Sequence, residues 1–159
     1  MVMKDHSGYA EATQITETAA RIRPQYLAKI GGVYSSEWFW SKILHCRNVA
    51  SDVFQATESF VEICDWIPSV LTGELSPAKI KRGVCAAGHK AMFSRTWDGL
   101  PDEEFLEALS PGLGSFRKRL YDNVYTAGER AGQLSASWAA KLGLSENVAI
   151  SFGAFDAHM

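Results

Sequence analysis

Apolar residues recur at helical spacing through most of the chain, and only its final stretch alternates as a strand does. Ala12, Ile15, Ala19 and Ile22 return at intervals of three and four, which predicts a first helix between Ala10 and Arg23 that Pro24 stops. Gly31-Gly32 predicts a turn. Ser36 then stands where it can cap a helix whose first turn holds Glu37 and whose buried face carries Phe39, Trp40, Ile43 and Leu44. Ser51 and Asp52 open a short helical piece running through Val53, Phe54 and Ala56. Phe60, Ile63, Ile67 and Leu71 are spaced 3, 4 and 4, which predicts the buried face of a longer helix, with Pro68 as a kink and Gly73 as its end.

Between Glu74 and Trp97 the periodicity weakens, predicting loops with one or two short strands around Lys79 to Val84 and Ala91 to Phe93. Proline and acids in Pro101-Asp102-Glu103-Glu104 start a helix carrying Phe105, Leu106 and Leu109, and Ser110-Pro111-Gly112 ends it. Ser135 can cap a last helix with Trp138 and Leu142, closed by Gly143. Val148, Ile150 and Phe152 then alternate with smaller residues as a strand, and Gly153 at its end lets another backbone or a ligand come close. Asp156 follows just past the strand's carboxyl end, where open α/β sheets bind ligands and a carboxylate can take a proton from a substrate hydroxyl. Its position alone serves a turn former or a helix cap equally well. A strand with such a residue at its tip needs neighbouring strands, and the scarcity of other strand patterns suggests a segment of a larger enzyme.

Length and composition bound the class. A chain of 159 residues, 47% hydrophobic, can bury one real core, and no repeat, low-complexity tract or interdomain linker is evident. A net charge of -2 creates no long-range field, which argues against nucleic acid and anionic lipid as partners. No apolar run approaches the roughly 18 residues needed to cross a bilayer, and the start lacks a basic segment followed by an apolar one, so a soluble cytoplasmic protein is expected. Cys46, Cys64 and Cys85 form no Cys-x-x-Cys pair and read as buried thiols. Cys85 and His89 could meet on a helix face, but two ligands do not make a metal site, and none is expected.

Several stretches appear together in one order: Lys4-Asp5-His6, the run from Gly31 through Tyr34-Ser35-Ser36-Glu37-Trp38-Phe39-Trp40 to His45, Asp65-Trp66-Ile67-Pro68, Ala86-Ala87-Gly88-His89-Lys90, and Gly153-Ala154-Phe155-Asp156-Ala157-His158-Met159. With these the chain resembles the FGGY carbohydrate kinases, and among them the L-ribulokinases. The resemblance implies a helix-rich α/β fold, part of an actin-like, ribonuclease H-like ATPase domain, with residues 1–159 covering the latter part of the kinase's first domain. It further implies transfer of the γ-phosphoryl group of ATP, with Mg²⁺, to a pentulose in arabinose catabolism. By the same resemblance Asp156 is the general base, Lys90 lies at the sugar, Tyr34 matches a polyol-contacting tyrosine, and Asp5 belongs to a segment bordering the sugar. Met3 stands where family members usually place a tryptophan, which removes a stacking surface. The Asp-x-Gly phosphate loop and the second, nucleotide-holding domain are absent from the sequence, so no tight cofactor site and no activity of the isolated chain are expected.

Each residue also has a plainer reading. Lys90 could be a solvated surface lysine, and Tyr34 a packing residue with its oxygen at the surface. Trp38, Phe39 and Trp40 read as core, and His89 and His158 as supporting groups. Asp65, inside an apolar helix, calls for a nearby Lys or Arg or a capping role. Two further functional readings stay open: a non-catalytic helical interaction module derived from a sugar kinase, whose exposed apolar face would favour self-association into a homo-oligomer, and a kinase for another pentulose or a polyol.

Overall fold

Ala12, Ile15 and Ala19 share one side of α1 (Tyr9–Ile22) and are each almost fully buried. Pro24 opens α2 (Pro24–Ala28) in the first helical turn, where its missing N–H would have no partner anyway. These helices begin a computed structural model that describes residues 5–155. Along the chain follow α3 (Phe39–Val49), α4 (Ser51–Ala56), α5 (Ile63–Thr72), α6 (Val84–Lys90), α7 (Glu103–Leu109), α8 (Leu113–Phe116), β1 (Arg130–Gln133), α9 (Ala136–Leu142) and β2 (Ala149–Ser151). The described residues are therefore helix-rich with one two-stranded sheet. They fall into two compact units, one comprising residues up to Phe60 with Gly88–Leu120, the other Val61–Ala87 with the residues from Tyr121 on. Among the described residues no helix is long and apolar enough to cross a membrane.

In the first unit α1 packs on α2, α3 and α7, and Ile15, Trp40, Ile43, Leu44, Phe105, Leu106 and Leu113 form a core with almost no exposure. The predicted start of α7 holds: Asp102 caps it, its Oδ1 accepting from the Phe105 N–H at 2.8 Å. The other oxygen of Asp102 accepts from Arg23 Nε at 2.7 Å and from the Tyr26 hydroxyl at 2.9 Å. Burial alone would raise this carboxyl, but those donors together hold it below its ordinary range. The start of α3 differs from expectation. Residues 35–38 make a turn instead, with Ser41 Oγ donating to the Ser35 carbonyl at 2.8 Å, and the helix begins at Phe39. Ser36 is drawn away from capping because its hydroxyl lies 3.1 Å from His6 Nδ1.

In the second unit β1 and β2 pair antiparallel, with Gly132 opposite Ile150 and Gln133 opposite Ala149. The closing strand is present but shorter than the alternating pattern, and Phe152 just after it is buried. Gly153 does admit a close backbone: a Cβ there would run into the Cys64 carbonyl and sit 2.9 Å from the Cys64 side chain, in the first turn of α5. Gly73 ends α5 in the left-handed conformation at φ 80°, and Gly143 ends α9 at φ 66°. No strand forms over 79–84 or 91–93; the first region contributes a single bridge, Gly83 to Tyr125, and Val84 begins α6.

The predicted buried face of α5 is half overturned. Phe60 and Leu71 are half-buried, but Ile63 and Ile67 are 67% and 49% exposed, and Asp65, Pro68 and Ser69 are buried instead. The reason is Asp65, which is 3% exposed and accepts the Gly83 N–H at 2.8 Å in the charge field of buried Arg82. Fixing that carboxylate inward turns Ile63, Trp66 and Ile67 to solvent. The expected cation beside Asp65 is thus Arg82, and Gly83 supplies the partner for its oxygen.

Candidate functional site

Of the four predicted site residues, Asp5, Tyr34 and Lys90 lie in the first unit, and Asp156 lies outside the described residues. α3 and the turn before it hold both segments that carry the first three.

The Asp5 segment docks on α3 through polar contacts. Lys42, in the second turn of α3 and 8% exposed, places its ammonium 3.0 Å from Asp5 Oδ2 and also donates to the Asp5 carbonyl. The Ser7 N–H donates to Asp5 Oδ1 at 3.0 Å. The contact with Ser7, and then the Lys42 ammonium, hold the Asp5 carboxyl well below the usual carboxylate range. Gly8 completes the docking, since a Cβ there would sit 3.2 Å from the carbonyl oxygens of both Ser36 and Ser41.

The Lys90 segment is held by aromatic donors. Tyr34 is 2% exposed, its amide donating to Thr16 Oγ1 at 3.0 Å and its ring meeting Trp38 edge-on at 5.2 Å. Its hydroxyl donates to the Lys90 carbonyl and accepts the Trp40 N–H at 3.0 Å, so one oxygen joins the first turn of α3 to the last residue of α6. The phenolic proton is thereby committed to the protein. Trp40, fully buried, donates Nε1–H to the Ala91 carbonyl at 2.9 Å. Lys90 itself is half-buried.

Sequence reasoning placed Trp40 in the core, where it lies, without a hydrogen-bonding role, and did not single out Lys42. A signal existed for both, because a buried indole N–H requires an acceptor and a lysine inside an apolar helical run requires an anion. Which acceptor and which anion depends on contacts 51 and 37 residues away along the chain. The second unit holds a cleft of about 240 Å³ lined by Ser69, Thr72, Lys79, Lys81 and Gly132 among others, and of the predicted site residues Asp5, Tyr34 and Lys90 do not border it.

No family model matches the chain. Compared with individual proteins, it is 46% identical over 160 residues to a ribulokinase of Vibrio parahaemolyticus, taking in 100% of this chain and 28% of that protein. It is 40% identical over 157 residues to a ribulokinase of Shouchella clausii and 36% identical over 156 residues to one of Halalkalibacterium halodurans, in each case across 98% of this chain and 27% of the relative. The chain thus spans little more than a quarter of the length of these curated relatives.

Proposed function

Starting from a chain that is homologous along its whole length to one stretch of the ribulokinases, we propose that it is the sugar-side segment of a carbohydrate kinase, acting on L-ribulose to give L-ribulose 5-phosphate. The observation that carries this reading is the 46% identity across the whole chain, a span that takes in the segments bearing Asp5, Tyr34, Lys90 and Asp156 together. The parent domain is assigned the actin-like ATPase fold, of which the helix-rich described residues form a part.

The chemistry assigned to the segment is modest and specific. As the sugar hydroxyl oxygen bonds to the γ-phosphorus and the bridge to the β-phosphate breaks, the hydroxyl proton passes to the Asp156 carboxylate, and ADP leaves. Lys90 supplies a compact cation with three donors for the sugar's hydroxyls. Asp5, fixed by Lys42, borders the same sugar. Among the described residues no three His, Cys, Asp or Glu side chains converge as a metal site, and the reading assigns ATP and Mg²⁺ to other parts of the kinase.

The test is replacement of the matching segment of the V. parahaemolyticus ribulokinase by these 159 residues. Ribulose-dependent ADP formation by the graft, and none by the 159 residues alone, is the expected result. A folded graft that forms ADP with glycerol or another pentulose but not with L-ribulose would leave a kinase and overturn the acceptor.

A further inference from the structure

Three successive backbone carbonyls, those of Lys90, Ala91 and Met92, each accept a hydrogen bond from a different aromatic side chain: the Tyr34 hydroxyl, Trp40 Nε1–H at 2.9 Å and Trp97 Nε1–H at 3.0 Å. Packing and helix ends explain one such bond easily. Three in a row, on the last residue of α6 and the two that follow it, fix the peptide planes where the helix ends. Met92 sharpens the point. It is 1% exposed and adopts φ 57°, a left-handed conformation that side-chain-bearing residues avoid unless their surroundings impose it. The donors are themselves immobilised: Trp40 is fully buried, Tyr34 is tied to α1 through Thr16, and the Trp97 ring lies 5.0 Å from that of Tyr26, inclined at 56°, with the Lys29 ammonium 5.4 Å from its centre.

We propose that Tyr34, Trp40 and Trp97 are positioning residues that set the direction in which Lys90 presents its ammonium to the sugar, with Tyr34 acting through the Lys90 backbone and not as a sugar ligand. The inference rests on the reading of Lys90 as a sugar contact. Its physical basis is that a flexible four-carbon side chain delivers a charge reproducibly only when its own backbone is rigid. The carbonyl of Lys90 is the atom nearest that requirement, and Tyr34 holds it.

The test uses the 159-residue chain with its lysines ¹³C-dimethylated, followed by NMR. Tyr34→Phe, Trp40→Phe and Trp97→Phe each remove one donor and keep a ring in place. Each is expected to shift the Lys90 methyl resonance and speed amide exchange at Met92 and Phe93, while the resonance of Lys118, whose ammonium pairs with Glu103, stays put. Unchanged Lys90 resonances in all three folded variants would overturn the proposal, with or without sugar. Titration with L-ribulose then separates this proposal from the kinase reading. Each variant should bind about three- to tenfold more weakly, as expected for one lost hydrogen bond, and should bind no more weakly still once Lys90→Met is present. A full further loss on the Lys90→Met background would show that the aromatic residues touch the sugar directly or act only on the fold, which contradicts positioning. Absence of any L-ribulose effect on the unsubstituted chain would instead count against Lys90 as a sugar contact, leaving the resonance and exchange results to decide the clamp.

Discussion

The Lys42 ammonium lies 3.0 Å from the Asp5 carboxylate, so a buried cation in α3 tethers the first described residue of the chain. Replacing Lys42 with Met keeps the aliphatic stem and removes the tether. The expected result is loss of hydrogen-exchange protection at the Ser7 amide, which donates to Asp5, with the helical core still protected. The pH dependence has a definite sign. Because the Asp5 carboxyl is held below its ordinary range, its contribution is fully present above pH about 4 and disappears only as pH falls further toward its folded value. Protection at Ser7 that vanishes already between pH 6 and 4 would contradict this.

Asp65 behaves in the opposite way. Burial pushes its carboxyl up to about 6, against the opposing pull of the Gly83 N–H and Arg82. The folded state therefore holds this proton more tightly than the unfolded chain, and the group's contribution to stability declines as pH rises from about 4 through about 6. Above that window the accumulated cost is about 3 kcal/mol, because each tenfold difference in proton affinity between the folded and unfolded states corresponds to roughly 1.4 kcal/mol. Asp65→Asn keeps an acceptor for Gly83 and cannot titrate. Denaturant unfolding of the two proteins at pH 4 and pH 7 should show their stability difference moving in favour of the variant at the higher pH.

Two glycines against α5 should respond differently to alanine. At Gly132 the new methyl meets the Thr72 methyl at 2.8 Å and its Cβ at 3.2 Å, side-chain atoms only, whereas at Gly153 it meets the backbone carbonyl of Cys64 as well as its side chain. Gly153→Ala should cost about 1–3 kcal/mol and Gly132→Ala clearly less. Equal losses in thermal unfolding would contradict the close approach.

The outward stripe of α5 gives a third stability prediction. Ile67 is 49% exposed, so Ile67→Lys in the 159-residue chain should change stability by no more than about 0.5 kcal/mol and reduce any self-association seen by light scattering. A large loss of stability would mean that the stripe faces inward.

How far the sequence foretold these features depended on whether the signal was local. Period and punctuation sufficed for α1, for α7 with its start at the proline and acids, and for α9 between Ser135 and Gly143. The close approach at Gly153 was legible too, because a glycine at a strand end has few other uses. The inward face of α5 was not, since hydropathy ranks Ile63 and Ile67 above Asp65, and only the distant Gly83 N–H and Arg82 make burial of a carboxylate tolerable. β1 escaped notice because Arg130-Ala131-Gly132-Gln133 has no apolar alternation and is a strand only by pairing with β2. α6 is seven residues with an internal glycine, too short for a period to register. At the candidate site the sequence named Tyr34 and Lys90 but not the bond between them, because the Tyr34 and Trp40 arms of the aromatic clamp reach carbonyls 56 and 51 residues away.

The division of labour between Asp156 and Lys90 is the central claim, and steady-state kinetics of the graft in V. parahaemolyticus ribulokinase test it most directly. Asp156→Asn should lower kcat by about 10²- to 10⁴-fold with the KM for L-ribulose little changed, and Lys90→Met should act mainly by raising that KM. Near-normal kcat in a folded Asp156→Asn graft would contradict the account.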